Sequence, residues 1–224
     1  MYFFIALLLF AFGQSAQAAP PREVVFSEIM WMGSSSSSAD EWIELYNRSD
    51  EEIDLAGWTI ARHSNAGEDI MLSIPEGKIS AHATFLIANY HSDDSRSLLN
   101  TQPKLVDAAL ALPNTKLQLR LYNHLPNEGG ELIDLADDGK GTPLAGDNNQ
   151  KHSMVRILLD QDGTLPTSWS TAKMARGWDE EAAERGTPGF IPDYLRPSSS
   201  TAQPNTTQVQ ATAWAKIKHN PTLR

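Results

Sequence analysis

Glu28 lies in the middle of an otherwise apolar segment, Val24-Val-Phe-Ser-Glu-Ile-Met-Trp31. A carboxylate in such a place needs partners if it is buried. General acid–base work would also require a second group at matched geometry. No such group can be assigned from the residues around it, so Glu28 is expected to accept hydrogen bonds from backbone or from Asn47 as a structural latch. His91-Ser-Asp93-Asp94 gathers three possible metal ligands in four residues. Calcium asks for six to eight oxygens and zinc for more His or Cys, so this segment reads as a solvated loop. Asp160-Gln-Asp162-Gly163 resembles half a calcium loop but has no glutamate at the required distance. It reads as turn chemistry, as does Asp147-Asn-Asn149. The chain has no G-x-S-x-G, H-E-x-x-H, Walker or G-x-G-x-x-G pattern, and Gly139-Lys-Gly141 lies in a turn. No catalytic residue, metal ligand or cofactor is therefore assigned, and the protein is not expected to be an enzyme.

The aromatic residues offer a different chemistry. Glu41–Asn47 alternates strictly, with Ile43 and Leu45 on one face and Trp42, Glu44 and Tyr46 on the other. If Ile43 and Leu45 take the core side, Trp42 and Tyr46 lie outside, about 13 Å apart at the usual rise of a strand. A flat aromatic strip can stack on sugar rings or grip a protein surface. Trp42 and Tyr46 are accordingly the expected ligand-binding residues, unless a loop or the C-terminal tail covers them.

The elements that must position these residues are strands. Short apolar runs occur at 24–31, 41–47, 53–55, 58–60, 70–74, 84–88, 116–122, 131–135 and 153–159, separated by Gly, Pro, Asn and Asp clusters. Many short strands at regular spacing indicate a β-sandwich or barrel. Gly57 interrupts the period of two between Leu55 and Trp58, which suggests a bulge with positive φ and a Trp58 packed between the sheets. Trp178–Arg185, with Asp179 near its start and Gly186 past its end, has the signals of a two-turn helix. After about Pro192 the composition turns polar, and 193–224 reads as a flexible low-complexity tail, with a short helix conceivable at 211–219.

The chain opens on a dozen apolar residues ending at Gly13, followed by Ala16-Gln-Ala18. The run is too short to span a bilayer and ends in an A-x-A cleavage pattern, so residues 1–18 read as a secretory signal although no Lys or Arg precedes the run. No later stretch has the length and apolarity of a membrane span. The formal charge of −10 lies wholly after residue 18, and it disfavours nucleic acid and anionic membranes as partners. The absence of cysteine rules out disulfides and a lipoprotein anchor. The expected location is secreted, periplasmic or at the cell surface.

The order of segments resembles a known family. Val25-Phe-Ser-Glu28-Ile-Met, then Asp40-Glu-Trp-Ile-Glu-Leu-Tyr-Asn47, then Ile53-Asp-Leu-Ala-Gly57-Trp-Thr-Ile60 are similar to the opening of the lamin-tail domain of exported bacterial proteins. Ile74-Pro-Glu-Gly77, Thr84–Ala88, Leu117–Tyr122, Glu131–Asp134, Ser153–Arg156, Trp169 and Gly186-Thr-Pro-Gly189 continue the likeness over roughly 22–190. The Ser34–Ser38 loop and the Thr101–Ala111 stretch depart from it. The resemblance implies an all-β, immunoglobulin-like sandwich over 22–190 with an irregular C-terminal extension. It also implies an exported, non-enzymatic binding, scaffold or adhesion module without a shared active site, recognising an extracytoplasmic protein or glycan. The alternative is an extracytoplasmic hydrolase, metal-assisted through the Asp- and His-bearing loops, or an accessory fragment of one. That reading would need three of His91, Asp93, Asp94, His124 and Asp147 to converge on one cleft. N-terminal sequencing of the exported protein checks the leader. A start at Ala19, or one residue later, is expected, and Met1 on the folded, soluble protein would contradict it.

Overall fold

A computed structural model of the protein describes residues 22–64 and 67–191. The segments 1–18 and 193–224, read above as signal and tail, lie outside the described residues, as does the helix considered at 211–219. The strands are β1 Val24–Met30, β2 Trp42–Asn47, β3 Ile53–Asp54, β4 Thr59–Ser64, β5 Gly67–Ser73, β6 Lys78–Ile79, β7 Thr84–Ala88, β8 Leu105–Val106, β9 Leu119–Tyr122, β10 Leu132–Ala136, β11 Met154–Arg156 and β12 Trp169–Thr171. They form a six-stranded sheet in the order β12-β11-β1-β2-β7-β8, a four-stranded sheet in the order β10-β9-β4-β5, and a small β3–β6 ladder. All of these pairs are antiparallel except β7–β8. The expected immunoglobulin-like sandwich is therefore present, and most of the strands coincide with the runs read from the sequence.

The core lies between the two sheets. Phe26, Ile29, Ile43, Leu45, Phe85, Ile87 and Met154 come from the larger sheet, and Ile60, Leu72, Leu119, Leu121 and Ala136 from the smaller. A bulge between Phe26 and Glu28 shifts the phase of β1. Phe26 and Ile29 thereby keep the core face as partners of Leu45 and Ile43, while Glu28 lands opposite Glu44 on the other face. One extra residue on a bulged strand has this effect because side chains alternate with a period of two.

Gly57 has a φ of +83°, as the sequence suggests, but it sits in a turn and not in a bulge. The Trp58 amide donates to Leu55 O at 3.0 Å, which puts Gly57 at the third position of a tight turn, where φ must be positive in the type that favours glycine. The bulge in this region falls instead between Ile60 and Ala61. Trp58 is only half-buried and packs against the core.

A buried ion pair ties the two sheets. Arg156 on β11 donates through Nη1 to Asp134 Oδ2 on β10 at 2.8 Å, with both side chains sealed from solvent. Asp134 also accepts from the Phe26 amide at 3.0 Å, and the guanidinium lies 5.3 Å from the Trp169 ring centre. Removing one member leaves the other charged, buried and unpaired. Arg156→Ala is therefore expected to destabilise the domain by about 3–5 kcal/mol. Replacing Arg156 and Asp134 together with apolar residues should cost less than the sum of the single changes. Urea unfolding midpoints of the four proteins check this.

Candidate functional site

Trp42 and Tyr46 share a face of β2 with Glu44, as the alternation requires, but they are 0 % and 1 % exposed. The expectation of an outward aromatic strip, and with it the assignment of Trp42 and Tyr46 as surface ligand-binding residues, is corrected. The C-terminal part of the domain, residues 172–191, runs as a strap over the outer face of the six-stranded sheet. Trp178 packs on Trp42 with ring centres 5.9 Å apart and planes tilted by 56°. All residues of β1 and β2 are buried as a result.

Trp178–Arg185, which carries helix signals, contains no helix. Its polar backbone groups are taken by distant chain: the Asp179 amide donates to Leu98 O, Trp178 bridges Leu99, and Arg185 O accepts from the Ser153 amide. Non-local partners of this kind satisfy the backbone as well as a helix would.

Two carboxylates clamp the strap. Glu28 accepts from the Thr187 amide at 2.9 Å through Oε1 and from Thr187 Oγ1 at 2.7 Å through Oε2, and also from Ser153 Oγ. Glu44 accepts from the Gly189 amide and from Ser27 Oγ. The structural-latch role expected for Glu28 thus has a backbone partner, Thr187. Asn47 is not involved; its side-chain amide donates to Glu51 O, Ile79 O and Ser80 O. A Cβ on Gly186 would come within 2.7 Å of Glu28 Oε1 and 2.9 Å of Ser153 Oγ, so only glycine lets the strap lie this close.

Burial pushes the Glu28 carboxyl above its ordinary range, against the hydrogen bonds from Ser153 and Thr187. Glu44 is pushed well above, first by burial and then by the charge of Glu28 opposite it. Two cross-strand carboxyls out of water do not both ionise readily. Burial also lifts Glu41, which accepts from the Leu112 amide, to about 7. Groups with raised folded-state pKa values bind protons that the unfolded chain has lost. Stability must therefore fall as pH rises from about 4.5 towards those raised values. The melting temperature is expected to be several degrees higher at pH 5 than at pH 8. Glu44→Gln should flatten that slope, and thermal melts across the range check it.

The loops suspected of metal chemistry are occupied with themselves. Asp94 pairs with Arg96 at 2.7 Å, which holds its carboxyl down at about 2, and the Arg96 guanidinium lies 4.0 Å over the Tyr90 ring. Asp162 accepts from the Thr164 amide and hydroxyl, and Asp147 from the Asn149 and Gln150 amides. Among the described residues no three His, Cys, Asp or Glu side chains gather into a metal-ligand group, so His91, Asp93, Asp94, His124 and Asp147 do not form one.

The outer face of the four-stranded sheet is a different kind of surface, and the sequence reading missed it. Cross-strand register puts Thr59, Ala61 and His63 of β4 beside Glu68 and Ile70 of β5, Arg120 and Tyr122 of β9, and Leu132 and Leu135 of β10. Arg120 Nη1 pairs with Glu68 Oε1 at 2.5 Å, and the Tyr122 hydroxyl donates to the same oxygen. These two partners lower the Glu68 pKa, Tyr122 first. Ile70 and Leu132 are 38 % and 42 % exposed, two of the few large apolar side chains left in water among the described residues. The alternation of Leu117, Leu119 and Leu121 against Gln118, Arg120 and Tyr122 carried this signal for β9. In β10 a register shift between Leu132 and Asp134 hides it.

The family described as Lamin Tail Domain matches residues 17–170, more than half of the chain. A solved structure described as a DUF4876 family protein from Bacteroides thetaiotaomicron VPI-5482 is similar at 12 % identity and a TM-score of 0.45, with 80 % of this chain and 75 % of that chain covered. A likeness at that distance carries no functional argument. No curated protein matches the chain.

Proposed function

From the premise that this chain belongs to the lamin tail domain family, we propose that it works as an exported, non-enzymatic binding module whose contact surface is the outer face of the four-stranded sheet. The observation that carries this reading is the pairing of exposed Ile70 and Leu132 with the preformed Arg120–Glu68–Tyr122 cluster on one flat sheet face. Apolar side chains around an oriented polar centre are what a protein surface needs in a partner: the apolar part supplies affinity and the ion pair fixes register.

A folded extracytoplasmic protein suits this face better than a glycan. Sugar recognition favours a broad aromatic platform, whereas here Tyr122 is largely buried and its hydroxyl is engaged by Glu68. The carboxylates that could suggest chemistry, Glu28 and Glu44, have their oxygens engaged by the strap and neighbouring hydroxyls. That favours binding over the hydrolase alternative. Export rests on the apolar leader and the Ala16-Gln-Ala18 pattern.

Ile70 and Leu132 project from the sheet into solvent, so charging them should leave the fold intact. Ile70→Glu with Leu132→Glu is expected to reduce capture of an extracytoplasmic protein partner at least tenfold, with an unchanged melting temperature. The corresponding experiment compares wild type and double variant in affinity capture and on a glycan array. Equal capture by both would contradict the surface assignment. Glycan binding retained by the double variant would contradict the partner class.

A further inference from the structure

The Ser34–Ser38 loop, which departs from the family pattern, is an ordered structure wrapped against two acidic side chains. The Ser35 amide donates to Glu184 Oε1 at 2.7 Å. The Leu98 amide donates to Asp40 Oδ2 at 2.9 Å, and the Ser34 and Ser97 hydroxyls lie near the same carboxyl. Asp40 and Glu184 are each 1 % exposed. Among the described residues no Lys, Arg or His forms an ion pair with either one.

Each side chain nevertheless keeps one sealed oxygen, Asp40 Oδ1 and Glu184 Oε2, without a hydrogen-bond partner. The two charges are near enough for Glu184 to raise Asp40, a smaller effect than burial. Buried carboxylate oxygens of this kind ask for positive charge. We propose that Asp40 and Glu184, with the Ser34–Ser38 loop folded against them, hold a divalent cation of calcium's kind. The donors are hard oxygens without imidazole or thiolate, which suits calcium and not zinc or copper. Two carboxylates are few for calcium, so hydroxyl, backbone and water oxygens complete the shell. The low ligand charge places the dissociation constant at about 10⁻⁴–10⁻³ M.

The test uses the full chain after dialysis against EDTA, with calcium chloride as the probe and sodium chloride at equal ionic strength as the reference. Calorimetry should show saturable binding. The melting temperature should rise by about 3–5 °C at ten times the dissociation constant. Glu184→Gln should abolish both responses, and Asp160→Asn, in an exposed loop elsewhere, should keep them. Absence of binding by about 10 mM, well above the expected range, or an undiminished response in Glu184→Gln, overturns the proposal. If Glu184→Gln does not fold, amide exchange in wild type decides. Calcium should slow exchange at 35–40; slowing confined to other loops, such as 160–163, overturns it.

Discussion

The clamp between Glu28 and the Thr187 backbone is the interaction on which the rest of the structure depends. It turns a two-layer sandwich into one with a third, irregular layer, because the strap it holds covers the face of the six-stranded sheet that an antiparallel sheet ordinarily leaves in water. With that face closed, β1 and β2 are buried on both sides. Every residue on them must then satisfy a packing or hydrogen-bonding demand. Trp42 meets Trp178, and Glu28 and Glu44 meet the strap backbone.

The bulge after Phe26 and the glycine at 186 serve the same arrangement from opposite sides. The bulge delivers Glu28 to the strap side while Phe26 and Ile29 stay in the core. Gly186 lets the strap descend to hydrogen-bonding distance. On the other side of the core the Asp134–Arg156 pair fixes the four-stranded sheet to the six-stranded one. The outer face of the smaller sheet is left as the surface where apolar and charged side chains meet water together. The structural carboxylates are thus concentrated on the strap and between the sheets, and the proposed recognition surface lies on the opposite side of the sandwich.

Much of this was legible in the sequence because strand alternation and turn residues are local signals. The alternation of Trp42, Glu44 and Tyr46 against Ile43 and Leu45 assigned the two faces of β2 correctly. It could not say what lies on each face, because the covering residue, Trp178, is far away in the chain. Positive φ at Gly57 was readable from the broken period, while the turn that uses it depended on the partner carbonyls of Leu55 and Ile74. The helix signals at Trp178–Arg185 were overridden by hydrogen bonds to 98, 151 and 153. β8 and β12, of two and three residues, are too short to carry a period. In β10 the irregularity beside Ile133 put Leu132 and Leu135 on one face against simple alternation, and the exposed apolar surface went unseen.

Native-state hydrogen exchange at the Thr187 and Gly189 amides tests the clamp most directly. Each donates to a buried carboxylate, so each should exchange only as slowly as the β2 core amides, such as that of Ile43, through opening of most of the domain. Exchange at those two amides as fast as at the exposed Asp93 loop would show that the strap opens independently of the sandwich. The account in which Glu28 closes the second face of the sheet would then be contradicted.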